Sequence, residues 1–180
     1  MNYSLFTLLK QFPCMWQGLL ALKNDQAVVQ MYYVSGNDSV AKCSLPKNTD
    51  GSTPSLRIFH RMRLEPPQVE GVVRKMQMEN EHCVLLALPF GRDHIDVVNQ
   101  TTALTDDFIT YLQQKQAIGI VNVAAAGTTQ PPAYVVHIFP SCDFVNENLR
   151  TITPHLRMTM PDLLERVADI PHLLIVITTV

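Results

Sequence analysis

The nine residues LRIFHRMRL, Leu56 to Leu64, decide how this chain is to be read, because their period-2 alternation separates two kinds of surface. Leu56, Ile58, Met62 and Leu64 fall on one face of an extended strand and can be buried. Arg57, Arg61 and Arg63 fall on the other, the closer pair being two strand residues, or roughly 6 to 7 Å, apart. That spacing suits an anion larger than a single carboxylate. A row of like charges repels itself, so either the fold supplies counter-charges, Glu65 being one nearby, or the row awaits an anionic ligand. The alternation alone leaves both readings open. Planar guanidinium forks would serve a phosphate or an acidic peptide.

Working outward, WQGLLALK (Trp16 to Lys23) and AVVQMYYV (Ala27 to Val34) are apolar, β-rich runs separated by Asn24-Asp25-Gln26. They predict a hairpin with Lys23 at its mouth. Ser35-Gly36-Asn37-Asp38 breaks the second strand, and the polar stretch Pro46 to Ser55 leads into the central one. Glu65-Pro66-Pro67 opens a helix with Val69, Val72, Val73 and Met76 as its stripe, ending near Met78. CVLLALP (Cys83 to Pro89) reads as a strand buried on both faces. Asp93 to Lys115 is the longest helical stretch, in one piece or two, with Tyr111 and Lys115 as i, i+4 neighbours. Gly119 is expected to end it.

Further strands are predicted at Gly119 to Val123, Tyr134 to Phe139 and His172 to Thr179, with a turn over Ala124 to Pro132. Near the N-terminus, Ser4 to Phe12 carries the i, i+3, i+4, i+7 stripe of a docking helix stopped by Pro13, and Asn146 to Val167 reads as mostly helical. The order is a mixed α+β one, with about seven strands and no regular βαβ alternation. With 180 residues, 20.3 kDa and 47% hydrophobic residues, the chain suits one domain, residues 1–180, able to bury its own core.

The net charge of −2 and pI near 6.3 argue against a sequence-independent hold on nucleic acid, so any anion site must be local. No apolar run approaches the ~18 residues of a membrane span, and Leu5 to Leu9 is short for a signal peptide. A soluble chain, cytosolic or nuclear, is expected. Cys14, Cys43, Cys83 and Cys142 lie far apart with no CxxC pair and no zinc-finger histidine spacing, which predicts reduced, mostly buried thiols and no metal. Nucleophile-elbow, zincin, P-loop and dinucleotide motifs are all missing. Asp93-His94 reads as a helix start with Asp93 as N-cap, not as part of a triad.

Five stretches in order resemble one family: WQGLLALKND at Trp16 to Asp25, LRIFHRMRLEPPQVEGV at Leu56 to Val72, VLLALPFGRD at Val84 to Asp93, FITYLQQKQAIGIVNV at Phe108 to Val123, and PHLLIVI near the end. Together they are similar to the SPOC domain of the Split ends (Spen) transcriptional regulators. The resemblance implies a distorted seven-stranded β-barrel with helices packed around it, at the C-terminal end of a much larger nuclear protein. It implies no enzymatic activity and no cofactor, and a partner in short acidic, serine-phosphorylated motifs at the C-termini of the corepressors SMRT and NCoR. Other SPOC proteins read the phosphorylated repeat tail of RNA polymerase II, which makes that tail the alternative partner. The family's basic-patch residues match Lys23, Arg57, Arg61, Arg63, Tyr111 and Lys115. The segment LRMTMPDLLERVADI from Leu156 is longer than the family usually has there, a departure that bears on its helix boundaries and not on the match of the patch residues.

Overall fold

The computed structural model describes residues 14–48, 50–124, 133–140, 142 and 171–180. The expected helices at Ser4 to Phe12 and Asn146 to Val167 lie outside the described residues, as does nearly all of the turn from Ala124 to Pro132.

Strands β1 (Cys14–Leu22) and β2 (Asp25–Gly36) form the predicted hairpin, with Leu22 paired to Asp25. The turn is therefore Lys23-Asn24, shorter than the sequence suggested, and Lys23 takes a left-handed φ of 56°. β2 stops at Gly36, whose φ of 91° suits glycine, and Asn37 caps helix α1 (Asp38–Ser44) by accepting a hydrogen bond from the Ser39 amide at 3.0 Å. Helix α2 (Pro66–Met76) opens on two prolines and lays Val72 against the outside of the sheet. β5 (His82–Pro89) is buried along its length up to Pro89, as a continuous apolar run requires.

Helix α3 (His94–Ala103) begins at the predicted Asp93 cap, which accepts from the Asp96 amide at 2.8 Å. It continues through a π-helical segment, Leu104–Ile109, into α4 (Thr110–Gln114). The π segment buries Leu104, Phe108 and Ile109 and leads directly into the turn that carries Tyr111. Gln100 Oε1 accepts from the Val28 amide at 2.8 Å and ties α3 to the hairpin. β6 (Ala117–Val123), β7 (Tyr134–Phe139) and β8 (Leu173–Thr179) complete the sheet.

The stretch Leu56 to Leu64 is two strands, not one. β3 (Ser55–Arg57) pairs parallel with β1, and β4 (His60–Arg63) pairs antiparallel with β6. In the order β3-β1-β2-β5-β8-β7-β6-β4 they stand at opposite ends of a curled mixed sheet of 8 strands, although only Ile58 and Phe59 separate them. One short segment is thus the seam of the barrel. Counted as one strand it gives the seven-stranded distorted barrel that was expected.

The break also shifts the alternation by one residue. Leu56 and Ile58 enter the core inside the curled sheet, with Leu20, Met31, Phe108, Leu112 and Ile175. Met62 and Leu64 pack half-buried against a second core outside it, beneath α2, with Val72, Ile118, Phe139 and Leu174. The four apolar residues therefore do not share one face, contrary to the reading of a single strand. Gly119 explains how the seam closes. It pairs with Arg61, and a Cβ there would come within 3.1 Å of both Ile58 Cδ1 and Cγ2. Gly119 lies inside β6 and does not end the helix; the chain leaves α4 through Gln116, at φ 47°.

Of the cysteines only Cys83 is buried; Cys14 and Cys43 are exposed and Cys142 is intermediate. The expectation of mostly buried thiols fails because Cys14 opens β1 at the end that β3 does not cover, and Cys43 lies on the outward side of α1.

Candidate functional site

Each of the six basic-patch residues is delivered by a different local device. Lys23 is the left-handed residue of the β1–β2 turn, a conformation that costs a non-glycine residue on the order of 1 to 3 kcal/mol. Arg57 helps to hold it there, since its Nη1 donates to the Lys23 carbonyl oxygen at 2.7 Å. The turn in turn aims Lys23 Nζ over the ring of Tyr111, 4.7 Å from the centroid. Arg61, from β4, brings its Cζ to 5.4 Å of the same centroid. One aromatic ring thus holds two cations, each attracted by the ring's quadrupole with about 0.5 to 1 kcal/mol at an exposed site.

Arg61 also lines a second feature, a cleft of ≈ 430 Å³ shared with Phe59, His60, Met62, Arg63, Lys115 and Ala117. Lys115 follows α4, and the pairing of Arg63 with Ala117 keeps the end of β4 beside it. The structure therefore brings all six residues into one chain of contacts, Arg57 to Lys23 to Tyr111 to Arg61, then across the cleft to Arg63 and Lys115. Arg57, Arg61 and Arg63 are all exposed.

Counter-charge is scarce. Arg63 Nη1 lies 3.6 Å from Glu65 Oε1, an exposed pair in which the arginine side chain keeps 80% of its accessibility. Such pairs contribute about 0 to 1 kcal/mol. Among the described residues, Lys23, Arg57, Arg61 and Lys115 have no carboxylate in ion-pair range. Asp25, Asp106 and Asp107 stand near the same turn and helix, and they repel one another. The Asp107 carboxyl is pushed above the ordinary aspartate range by desolvation first, then by Asp25 and Asp106. Those acids border the patch without neutralising it. The arrangement can take an anion with several acceptor oxygens, approached by guanidiniums and ammoniums from different directions.

Sequence reasoning missed Phe59, which is 72% exposed, and His60, also exposed on the cleft wall. Phe59 was findable, because its odd position puts it in the arginine row, where an aromatic has no core to enter. His60 was not, since its parity placed it with the apolar set. No group of three or more His, Cys, Asp or Glu side chains able to hold a metal occurs among the described residues.

The fold agrees with what comparison with known proteins finds. Residues 7–180 match the family model described as SPOC domain. Protein split ends of Drosophila melanogaster is 60% identical over 177 residues, 98% of this chain and 3% of that protein. Human Msx2-interacting protein is 55% identical over 174 residues, 96% of this chain and 4% of that protein. The crystal structure of the SPOC domain of human PHD-finger protein 3 shares the fold, with a TM-score of 0.55 and 18% identity, covering 93% of this chain and 98% of that one. The chain belongs to the SPOC domain family, in its Split ends branch of transcriptional regulators, and is a protein-interaction domain. It spans only 3 to 4% of the length of these curated relatives.

Proposed function

We propose that this domain is a non-enzymatic reader of acidic, serine-phosphorylated peptide segments, those at the C-termini of SMRT- and NCoR-type corepressors, and that it works in the nucleus within a larger transcriptional repressor. The observation that carries the reading is the pairing of Lys23 and Arg61 over Tyr111, with Arg57 on the Lys23 carbonyl and Arg63 and Lys115 lining the cleft beside Arg61, and with Glu65 as the only carboxylate in ion-pair range of these cations among the described residues. A phosphoserine brings a charge of about −1.5 to −2 and three acceptor oxygens to such a patch. Each charge-assisted bond contributes on the order of 1.5 to 3 kcal/mol before screening. Exposure leaves roughly 1.4 to 3 kcal/mol in total, or about ten- to a hundredfold in affinity.

The test is titration calorimetry with an acidic corepressor-tail peptide, with and without the phosphate. Wild type should prefer the phosphorylated form by that factor. Arg61→Ala should lose most of the preference at an unchanged melting temperature, and Arg61→Lys should regain part of it, because an ammonium lacks the planar fork. Equal affinity of wild type for the two peptides would sink the phosphopeptide mechanism.

A further inference from the structure

The seam of the barrel leaves a strand-shaped gap. β4 covers β6 only from Ala117 to Ile120, while β6 runs on to Val123. β3 pairs with β1 on one side only. Among the described residues, the outer end of β6 and the outer edge of β3 therefore have no strand partner, and a groove of ≈ 860 Å³ lies between them, lined by Leu56, Arg57, Phe59, Val121, Asn122 and Val123.

Main-chain direction follows from the bonds already made. The Ala133 amide donates to the Val123 carbonyl oxygen at 2.9 Å, so Val123 faces β7 and its neighbour Asn122 faces the groove. The Ile58 amide donates to the Ala21 carbonyl oxygen at 2.8 Å and the Leu19 amide to that of Pro54 at 2.9 Å, so Pro54 and Ile58 face β1 and Arg57 faces away from it.

We propose that this groove takes, as an added strand, the extended stretch of the same acidic peptide that adjoins its phosphoserine. The proposal rests on the phosphopeptide reading and extends it. Continuity supports it, because Phe59 lines both the groove and the basic cleft, and Arg57 joins the groove to Lys23. Charge supports it as well. Lys42 and Lys47 stand on the wall with Arg57 and no acidic residue does; Asp38 holds Lys42 at 3.0 Å, while Lys47 and Arg57 have no carboxylate in ion-pair range among the described residues. Strand addition satisfies free main-chain groups on both sides at once and reads the peptide by alternate side chains.

The experiment uses a synthetic acidic peptide with one phosphoserine, alone or lengthened by four residues of alternating valine and glutamate on one side or the other. Lengthening on one side should strengthen binding about tenfold, equivalent to one or two net main-chain hydrogen bonds. Backbone N-methylation should remove that gain at successive positions of the added stretch, since alternate amides face β6 and the ones between them face β3. Asn122→Pro deletes a donor aimed into the groove and no β6–β7 bond, so it should bring the long peptide down to the short one's affinity and leave the short one unchanged. The N-methyl series on the wild-type protein decides the matter even if that variant does not fold. No gain from lengthening on either side, or N-methylation tolerated everywhere, would overturn the added strand. The short peptide's own dependence on phosphate judges the basic patch separately.

Discussion

Gly119→Val places two methyl groups beyond a Cβ that is itself already crowded at the seam. A Cβ at residue 119 already lies 3.1 Å from two atoms of Ile58 and 3.4 Å from Ile138 Cβ. Ile58 and Ile138 are both buried, so neither has solvent to retreat into. Overpacking of this kind costs about 1 to 3 kcal/mol. In a domain of this size that lowers the melting temperature by roughly 2 to 12 °C, at about 2 to 4 °C per kcal/mol. Ile58→Val removes Cδ1, one of the two clashing atoms, and costs about 0.5 to 1.5 kcal/mol by itself. Combined, the two substitutions should be less damaging than their sum, because the second makes space for the first. The assay is thermal or denaturant unfolding of wild type, both single variants and the double variant. If the changes add within about 0.3 to 0.5 kcal/mol, the two side chains do not share the space, and the account of how the seam closes is wrong. Gly119 pairs with Arg61, so the same variant should also weaken the phosphorylated peptide, with the double variant regaining affinity in step with stability.

Tyr111→Phe should keep most of the phosphopeptide affinity, whereas Tyr111→Leu, which removes the ring under two cations, should lose about five- to thirtyfold, the equivalent of about 1 to 2 kcal/mol; equal losses in calorimetry would make the hydroxyl the working group. Cysteine labelling at pH 8, mapped by mass spectrometry, should find Cys43 fastest and Cys14 slower, since partial burial pushes the Cys14 thiol up, and Cys83 silent until unfolding, its thiol being pushed up to about 12 by burial; rapid labelling of Cys83 in the folded protein would contradict its place in the core. His137 is buried, with Nδ1 2.9 Å from the Val176 carbonyl oxygen, and burial holds its pKa below the ordinary 6.5. A depressed folded-state value means that stability is complete above pH 6.5 and is lost as pH falls through the folded value, because the unfolded chain takes the proton first. The melting temperature should therefore fall more from pH 7 to pH 5 in wild type than in His137→Gln, and identical slopes would remove His137 from the acid sensitivity.

Most strands were legible because burial writes itself into composition. Cys83 to Pro89 and Leu173 to Ile177 are apolar without interruption because both of their faces are covered. Helix starts were legible where a cap announces them, as at Asp93 and at Pro66-Pro67. Parity along a single strand was the weaker guide, since it assumes that the strand keeps one pair of neighbours. Between Ile58 and His60 the chain exchanges β1 for β6, and no residue type marks the exchange: the requirement sits on Gly119, far away in sequence, and on the curvature of the whole sheet.

The same exchange explains why the basic patch was partly legible and partly hidden. The arginines show in the sequence because three cations at odd positions of one stretch are visible without any fold. Tyr111, the ring that Arg61 shares with Lys23, does not, because it depends on the helical turn that follows the π segment and on the left-handed turn at Lys23. Had β3 and β4 been one unbroken strand, Ile58 and Met62 would share a face, and so would Arg57 and Arg61. Because the alternation shifts, Arg57 anchors the turn beneath Lys23 while Arg61 reaches Tyr111, so side chains spaced along one stretch support a single site in different ways. A site assembled across the seam is sensitive to the core beneath it, and this is why a substitution at the buried Gly119 should register in peptide affinity although its side chain would face no ligand.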